Sequence, residues 1–138
     1  MTQGISTTEA LEILKTTDPV QLLEILRRAT EAREKHSGNR IKTCSIVNAK
    51  CGNCQQNCAF CAQSARSKAK IHTYPLIPAE EMYNAAKAAA EHGSHRFGIV
   101  TSGTKVVQGH DLDEICKAIR MIRKDLPIIP CASLGIMT

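Results

Sequence analysis

Four of the chain's seven cysteines stand within eleven residues, at Cys51, Cys54, Cys58 and Cys61. Cys44, Cys116 and Cys131 lie apart. A thiolate is both a nucleophile and a soft metal ligand, so spacing has to say which chemistry it serves. The run reads C-x2-C-x3-C-x2-C. Structural zinc takes four ligands in a tetrahedron, usually from two knuckles well separated in sequence. Here one short loop would have to fold around the metal by itself. Thiol exchange of the thioredoxin kind uses a single C-x2-C at the start of a helix, and two adjoining pairs suit it less well. Iron–sulfur ligation suits a dense run of thiolates, because a cubane spreads several irons over a short span that one loop can wrap.

Elements on either side must position this run. Ser6 with Glu9 has the spacing of a capping box, and Asp18 followed by Pro19 marks a second helix start. Val20, Leu22, Leu23, Leu26 and Ala29 form an apolar stripe at helical spacing, and Gly38 is a natural stop. Residues 1–40 are therefore expected to be a helical segment without chemistry of its own, laid as a packing element against the remainder of the chain. Residues 41–47 are short and rich in β-branched residues, which predicts a strand. A long loop, 48–78, then carries the cysteines and the basic residues Arg66, Lys68 and Lys70. A loop of that length is usually functional.

Beyond it the pattern alternates. Residues 79–92 are Ala-rich and helical, with Gly93 after them, and 97–101 read as a strand followed by the turn Ser102-Gly103-Thr104. Asp111 and Glu114 have capping spacing, and Leu112, Ile115, Ile119 and Ile122 give a helical stripe. Residues 128–133 read as a third strand, where Pro130 argues against a central place in the sheet. Strand, helix, strand, helix, strand predicts an α/β fold with right-handed crossovers and a parallel sheet. Chemistry in such folds gathers at the carboxyl ends of the strands, where the cysteine loop and Ser102-Gly103 both fall.

Composition narrows the class further. The chain has 138 residues, about one domain, whereas a complete (β/α)8 barrel takes about 250. With 43% hydrophobic and 22% charged residues it reads as globular rather than disordered. The net charge is +5, and the only aromatics are Phe60, Tyr74, Tyr83 and Phe97. Few rings to stack on bases argue against a nucleic-acid partner, and the excess charge reads as a solvated surface. No apolar run approaches a membrane span, and the first fifteen residues lack a signal-peptide pattern. A cytoplasmic place is therefore expected, where disulfides are not the usual fate of seven cysteines. The five histidines, at 36, 72, 92, 95 and 110, show no ligand spacing. Cys116, on the apolar helix face, reads as a small core hydrophobe.

Cys54-Gln55-Gln56-Asn57-Cys58-Ala59-Phe60-Cys61 is C-x3-C-x2-C with an aromatic before its last cysteine. It resembles the cluster motif of the radical S-adenosylmethionine enzymes. Cys44 to Lys50 leading in and Cys61 to Arg66 leading out make it similar to the biotin synthase family. The resemblance continues through Arg96-Phe97, Thr101-Ser102-Gly103 and Cys131-Ala132-Ser133-Leu134-Gly135, so it covers roughly residues 41–138. It implies a partial domain over 41–138: about three βα units, the N-terminal part of a TIM-type (β/α) barrel, preceded by the helical segment.

The same resemblance implies that Cys54, Cys58 and Cys61 bind a [4Fe–4S] cluster with one iron open to S-adenosylmethionine. Phe60, Thr101, Ser102 and Gly103 would meet that cofactor, and Asn48 and Lys50 the substrate. Arg66, Lys68 and Lys70 read either as a carboxylate attractor or as a solvated basic loop. Cys51 stands where the family has a small residue without a thiol. It is either a fourth ligand that closes the open iron or a bystander pointing away. The family also carries an auxiliary cluster, [2Fe–2S] in its better-known branch, with a cysteine ligand directly after the Arg-Phe pair. Here that position is Gly98. Cys131 matches the ligand on the third strand, and Cys44 on the first strand is a replacement if both point inward; otherwise both are buried free thiols.

The implied reaction is sulfur insertion into dethiobiotin, giving biotin through a 5′-deoxyadenosyl radical. A flavodoxin or ferredoxin would donate the electron, and the longer protein would be a homodimer. The 138 residues are expected to be a fragment, inactive alone. Two alternatives stay open: another radical reaction on the same barrel, such as hydrogenase-cofactor maturation, and a non-catalytic iron–sulfur or zinc module.

Overall fold

The computed structural model describes residues 4–136. Contacts divide the chain after Ile41. The first unit holds two helices. In α1 (Thr7–Lys15) the Ser6 hydroxyl accepts the Glu9 N–H at 3.1 Å. In α2 (Pro19–Ser37) the Asp18 carboxylate accepts the Val20 N–H at 3.1 Å, and Pro19 sits where no N–H is needed. Gly38, at φ +65°, ends α2. Both starts and the stop thus fall on the residues whose chemistry marks them. Arg28 and Glu9 form an ion pair that joins the two helices.

The second unit is a parallel sheet with its crossovers on one face. Strands β1 (Cys44–Lys50), β2 (Arg96–Thr101) and β3 (Ile129–Ser133) pair in the order β1-β2-β3. Helix α3 (Ala79–Glu91) connects the first two and α4 (His110–Asp125) the last two. Strand β1 begins and ends three residues later than the β-branched run at 41–47. Composition marked that a strand exists; burial set its bounds, because Ala49 is the position that reaches the core.

The sheet turns Ala49, Phe97 and Ile99 toward the helices, where they are buried with Met82 and Ala86 of α3 and Ile115, Ala118 and Ile122 of α4. A buried side chain of Phe or Ile size contributes roughly 1.5–3 kcal/mol, so this face holds the unit together. Strand alternation and register put Cys44, Ile46 and Asn48, then Arg96, Gly98 and Val100, then Ile129, Cys131 and Ser133 on the opposite face.

One capping expectation is corrected. Asp111 and Glu114 do not cap α4; its N-cap is Gly109, without a side-chain bond. Glu114 instead reaches across to α3, where its carboxylate accepts the Ala79 N–H at 2.8 Å. The N-cap of α3 is Pro78, which has no side-chain acceptor, so the neighbouring helix supplies one. Lys117 of α4 adds an exposed ion pair to Glu80 at 2.6 Å, and that hydrogen bond holds the Glu80 carboxyl below its ordinary range. Replacing Glu114 by Ala should cost about 1 kcal/mol, the usual worth of a helix cap, seen as a lower urea midpoint. Glu114→Gln, which keeps an acceptor oxygen, should lose less, and Lys117→Ala should leave the midpoint nearly unmoved, as exposed pairs contribute little.

Candidate metal centre

Because the strands are parallel, their carboxyl ends share one edge, and the segments after them share one surface. A bulge shapes the first end. Asn48 pairs with Val100 but Lys50 pairs with Thr101, so Ala49 is the extra residue. Its carbonyl accepts the Ile77 N–H at 2.9 Å. Lys50, re-aimed by the bulge, bonds the Asp111 carboxylate on α4 at 2.8 Å.

Next the chain enters the thiol loop. Cys51 forms an isolated antiparallel bridge with Tyr74, each N–H reaching the other's carbonyl at 3.1 and 3.2 Å. Gly52 and Asn53 come next, at φ +82° and +55°. A Cβ on residue 52 would lie 2.4 Å from Thr73 Cγ2, so glycine is required there by space as well as by conformation. Asn is among the few side chains that accept the left-handed region. Cys54 forms a parallel bridge with Ser64; its N–H goes to the Gln63 carbonyl at 3.0 Å and its carbonyl takes the Ala65 N–H at 2.8 Å. Cys61 closes a turn onto the Cys58 carbonyl at 3.1 Å.

Two residues to which the sequence assigned no role brace this loop. The Gln63 side-chain oxygen accepts the Gly52 N–H at 2.6 Å, and its amide nitrogen donates to Asn48 Oδ1 at 3.3 Å. The Tyr74 hydroxyl donates to the Asn48 carbonyl at 2.7 Å. The only signal for Gln63 was its place two residues after the last cysteine, and Tyr74 carried none. Arg66 is a brace too, since its guanidinium donates to the Gln55 carbonyl at 3.1 Å.

The other strand ends are stitched to the same surface. Ser102, just after β2, gives its N–H to the Lys50 carbonyl at 2.9 Å and its hydroxyl to the Gly52 carbonyl at 2.7 Å. The Gln56 amide reaches Thr104 Oγ1 at 3.1 Å. After β3, the Ile136 N–H bonds the Thr104 carbonyl at 2.8 Å, and Gly135 at φ +82° passes so close that a Cβ would lie 2.2 Å from that oxygen. Between the stitched segments lies a cavity of about 430 Å³, bordered by Lys50, Cys51, Tyr74, Ser102, Gly103 and Lys105. Gly103, at φ +121°, has no atom within 4 Å of where its Cβ would be, so a ligand can approach its backbone.

The thiols themselves are presented rather than gathered. Cys54 and Cys61 are half-buried, Cys58 is exposed, and all are free. Among the described residues no three His, Cys, Asp or Glu side chains stand close enough together to hold a metal. As donors the three fit an iron–sulfur cluster: soft, free thiols on short turns that can draw inward around it. Phe60 is 96% exposed, so its ring packs on nothing in this chain. Cys51, not the three motif cysteines, borders the cavity.

On the sheet face away from the helices, Cys131 is level with Gly98 and Ile46, while Cys44 is level with Arg96 and Ile129. A Cβ on Gly98 would approach Ile46 Cγ2 at 3.1 Å, so the isoleucine methyl already leans over that position. Cys44 is exposed and Cys131 half-buried. Cys116 is likewise only half-buried.

Comparison with known proteins places these features. No family model matches the chain. Methylornithine synthase shares its fold, with a TM-score of 0.77 over 99% of this chain and 39% of that one, at 19% identity. The class of fold defined is thus the (β/α) barrel, with the chain forming its N-terminal part, about three βα units preceded by helices. Biotin synthase of Citrifermentans bemidjiense is 47% identical over 135 residues, 97% of this chain and 41% of the relative. That of Geobacter sulfurreducens is 47% identical over 79% of this chain and 33% of the relative, and that of Trichlorobacter lovleyi 40% identical over 98% and 40%. The particular family is that of the biotin synthases, to which the chain belongs as a homologue over nearly all of its own length. It spans about two-fifths or less of the lengths of these relatives.

The loop's dependence on its glycine is directly testable. Gly52→Ala should destabilise the second unit by about 1–3 kcal/mol through a forced left-handed residue and the Thr73 contact. Adding Thr73→Ser removes Cγ2 and should recover part of the loss but not the conformational share, as read from urea unfolding.

Proposed function

We propose that the chain is the cofactor-binding part of a biotin synthase-type radical S-adenosylmethionine enzyme, one that inserts sulfur into dethiobiotin in the cytoplasm. One observation carries the reading: three free thiols in C-x3-C-x2-C spacing stand on the loop that leaves β1 at the carboxyl edge of a parallel sheet, in a chain homologous to biotin synthases. Cys54, Cys58 and Cys61 would hold three irons of a [4Fe–4S] cluster. The cluster and S-adenosylmethionine, when bound, supply one-electron cleavage of the sulfonium to methionine and a 5′-deoxyadenosyl radical.

The chain's own residues do the positioning. The Cys54 bridge to Ser64 fixes the first thiol, and the Cys58–Cys61 turn sets the spacing of the other two. The exposed Phe60 ring is free to lie against the adenine. Ser102 and Gly103, directly after Thr101 at the end of β2, bring backbone to the cavity rim, and Ser102 ties that rim to the thiol loop. Asn48 and Lys50 face substrate from the end of β1. Lys50 is held by Asp111, so it would have to trade that partner for a substrate group. A flavodoxin or ferredoxin is the fitting electron donor, and the longer protein is read as a homodimer with no nucleic-acid or membrane partner. No helix among the described residues is long and apolar enough to cross a membrane.

Register supports an auxiliary iron–sulfur cluster on Cys131 and Cys44. In an eight-stranded barrel of shear eight, a level position climbs about one residue per strand along the right-handed tilt. Cys131 lies two residues beyond Ile129, the row partner of Cys44, and two strands away, so both thiols belong to one interior layer.

The test is anaerobic reconstitution of the chain. It should take up about four iron and four sulfide at the first site, and Cys54→Ala, Cys58→Ala or Cys61→Ala should each abolish that uptake. Uptake of a single zinc with indifference to iron would sink the enzyme reading. In a protein of the relatives' full length, Cys44→Ala or Cys131→Ala should remove only the second cluster's iron and stop biotin formation. Parental biotin yield from both variants would place the auxiliary site elsewhere.

A further inference from the structure

Gln63 follows the last motif cysteine, and the proposed function gives it no contact with cluster or substrate. We propose that it is a positioning residue: it holds the Asn48 side chain with its N–H group turned toward substrate. The site then takes a hydrogen-bond acceptor at that point, the carbonyl oxygen of dethiobiotin's cyclic urea. The proposal rests on the reading of Asn48 as a substrate contact.

The orientation follows from which atoms can donate. A backbone N–H only donates, so the end of Gln63 that lies 2.6 Å from the Gly52 nitrogen is its oxygen. The other end is therefore the NH2 group, which also only donates. The atom of Asn48 that it meets at 3.3 Å must then be Oδ1. Both protons of Asn48 Nδ2 are left over, and among the described residues no group accepts them. No buried side-chain nitrogen or oxygen among those residues lacks a partner, so this nitrogen is not buried. The rest of Asn48 is held. Its carbonyl accepts the Tyr74 hydroxyl at 2.7 Å, and its backbone is in register with Val100. Turning the amide round would set two NH2 groups against each other and lose the Gln63 bond.

Place selects the substrate group. Asn48 shares the inner face of β1 with Cys44 and stands nearer the carboxyl edge. On the proposed function, the radical starts at that edge and the sulfur at the level of Cys44 and Cys131. The carbons that exchange hydrogen for sulfur must lie between the two, and in dethiobiotin they adjoin the cyclic urea. That ring offers a carbonyl acceptor and N–H donors. A donor on Asn48 pairs with the carbonyl and opposes the N–H groups, so the ring is admitted in one orientation.

The experiment pairs two isosteric changes. Gln63→Glu keeps the acceptor for Gly52 but loses the NH2 donor, so Asn48 should turn, give Nδ2 to the carboxylate and leave Oδ1 toward substrate. Asn48→Asp keeps the acceptor for Gln63 and has no N–H to offer. In a protein of the relatives' full length, each should raise the dethiobiotin concentration for half-maximal biotin formation about tenfold, with a smaller effect on the yield at saturation. Urea midpoint and iron uptake of the 138-residue chain should stay parental in both. Gln63→Leu, which drops both bonds, should lower the midpoint. Parental half-saturation in either isosteric variant would overturn the proposal, and so would a loss of iron uptake in Gln63→Glu that accounts for its raised half-saturation. If the parent makes no biotin, the proposed function fails instead, and nuclear magnetic resonance of the labelled 138-residue chain still decides the orientation. Asn48→Asp identifies the Asn48 amide signals by removing them. In Gln63→Glu they should move downfield as Nδ2 gains a carboxylate partner, and unmoved signals would overturn the proposal.

Discussion

The two backbone bridges that fix Cys51 to Tyr74 and Cys54 to Ser64 carry the rest of the site. Residues 51–78 form no helix or strand, and ordering such a stretch costs about 1–2 kcal/mol per residue in backbone entropy alone. Hydrophobic burial offsets little of this, because the loop is mostly polar and exposed. What remains is hydrogen bonding that starts at the end of β1 and returns to it. Gln63 and Tyr74 both close onto Asn48, the last regularly paired residue before the bulge. The loop is therefore a flap tied at its base, and the thiols between the ties keep the freedom to rearrange. That division suits a metal centre whose donors must draw together: the glycine at the base is required by space and conformation, while Cys58 and Phe60 near the tip are exposed.

The sheet divides its labour in the same way. Its helix-facing side is finished: Ala49, Phe97 and Ile99 are buried against both helices, and Glu114 and Lys117 of α4 tie down the start of α3. Its other side presents Cys44, Ile46 and Cys131 with no covering element among the unit's described residues, and Ile46 is 67% exposed. Stability comes from one face and chemistry is left to the other face and the carboxyl edge. The bulge at Ala49 joins the two, since the same extra residue buries a methyl in the core and turns Lys50 toward the cavity rim.

Much of this was legible from residue types. Ser6, Asp18, Pro19 and Gly38 bounded two helices because capping is local chemistry. Alternating apolar runs marked the strand–helix order, and the cysteine spacing with its flanking words marked the family. What was not legible depended on neighbours distant in sequence. Strand β1 slid three residues because the core, not local composition, selects which residues pair. Glu114 looked like a cap for its own helix and serves another. Gln63 braces Gly52 and Asn48 through contacts that no periodicity encodes. Ser102 was singled out as a cofactor contact, yet its hydrogen bonds in this chain tie two loops together.

The Gly98 position shows how such contacts constrain the chemistry of the inner face. The family's better-known arrangement needs a thiol there, level with Cys131 on the neighbouring strand. Here a Cβ on residue 98 would stand 3.1 Å from the Ile46 methyl, so that methyl would have to give by a few tenths of an ångström. Restoring a cysteine would require Ile46 to move, and Ile46 sits between Cys44 and Asn48 on the same face of β1. On the proposed reading, the ligand absent from β2 is supplied instead by Cys44 on β1, an alternate strand whose inward residues share a barrel layer with Cys131.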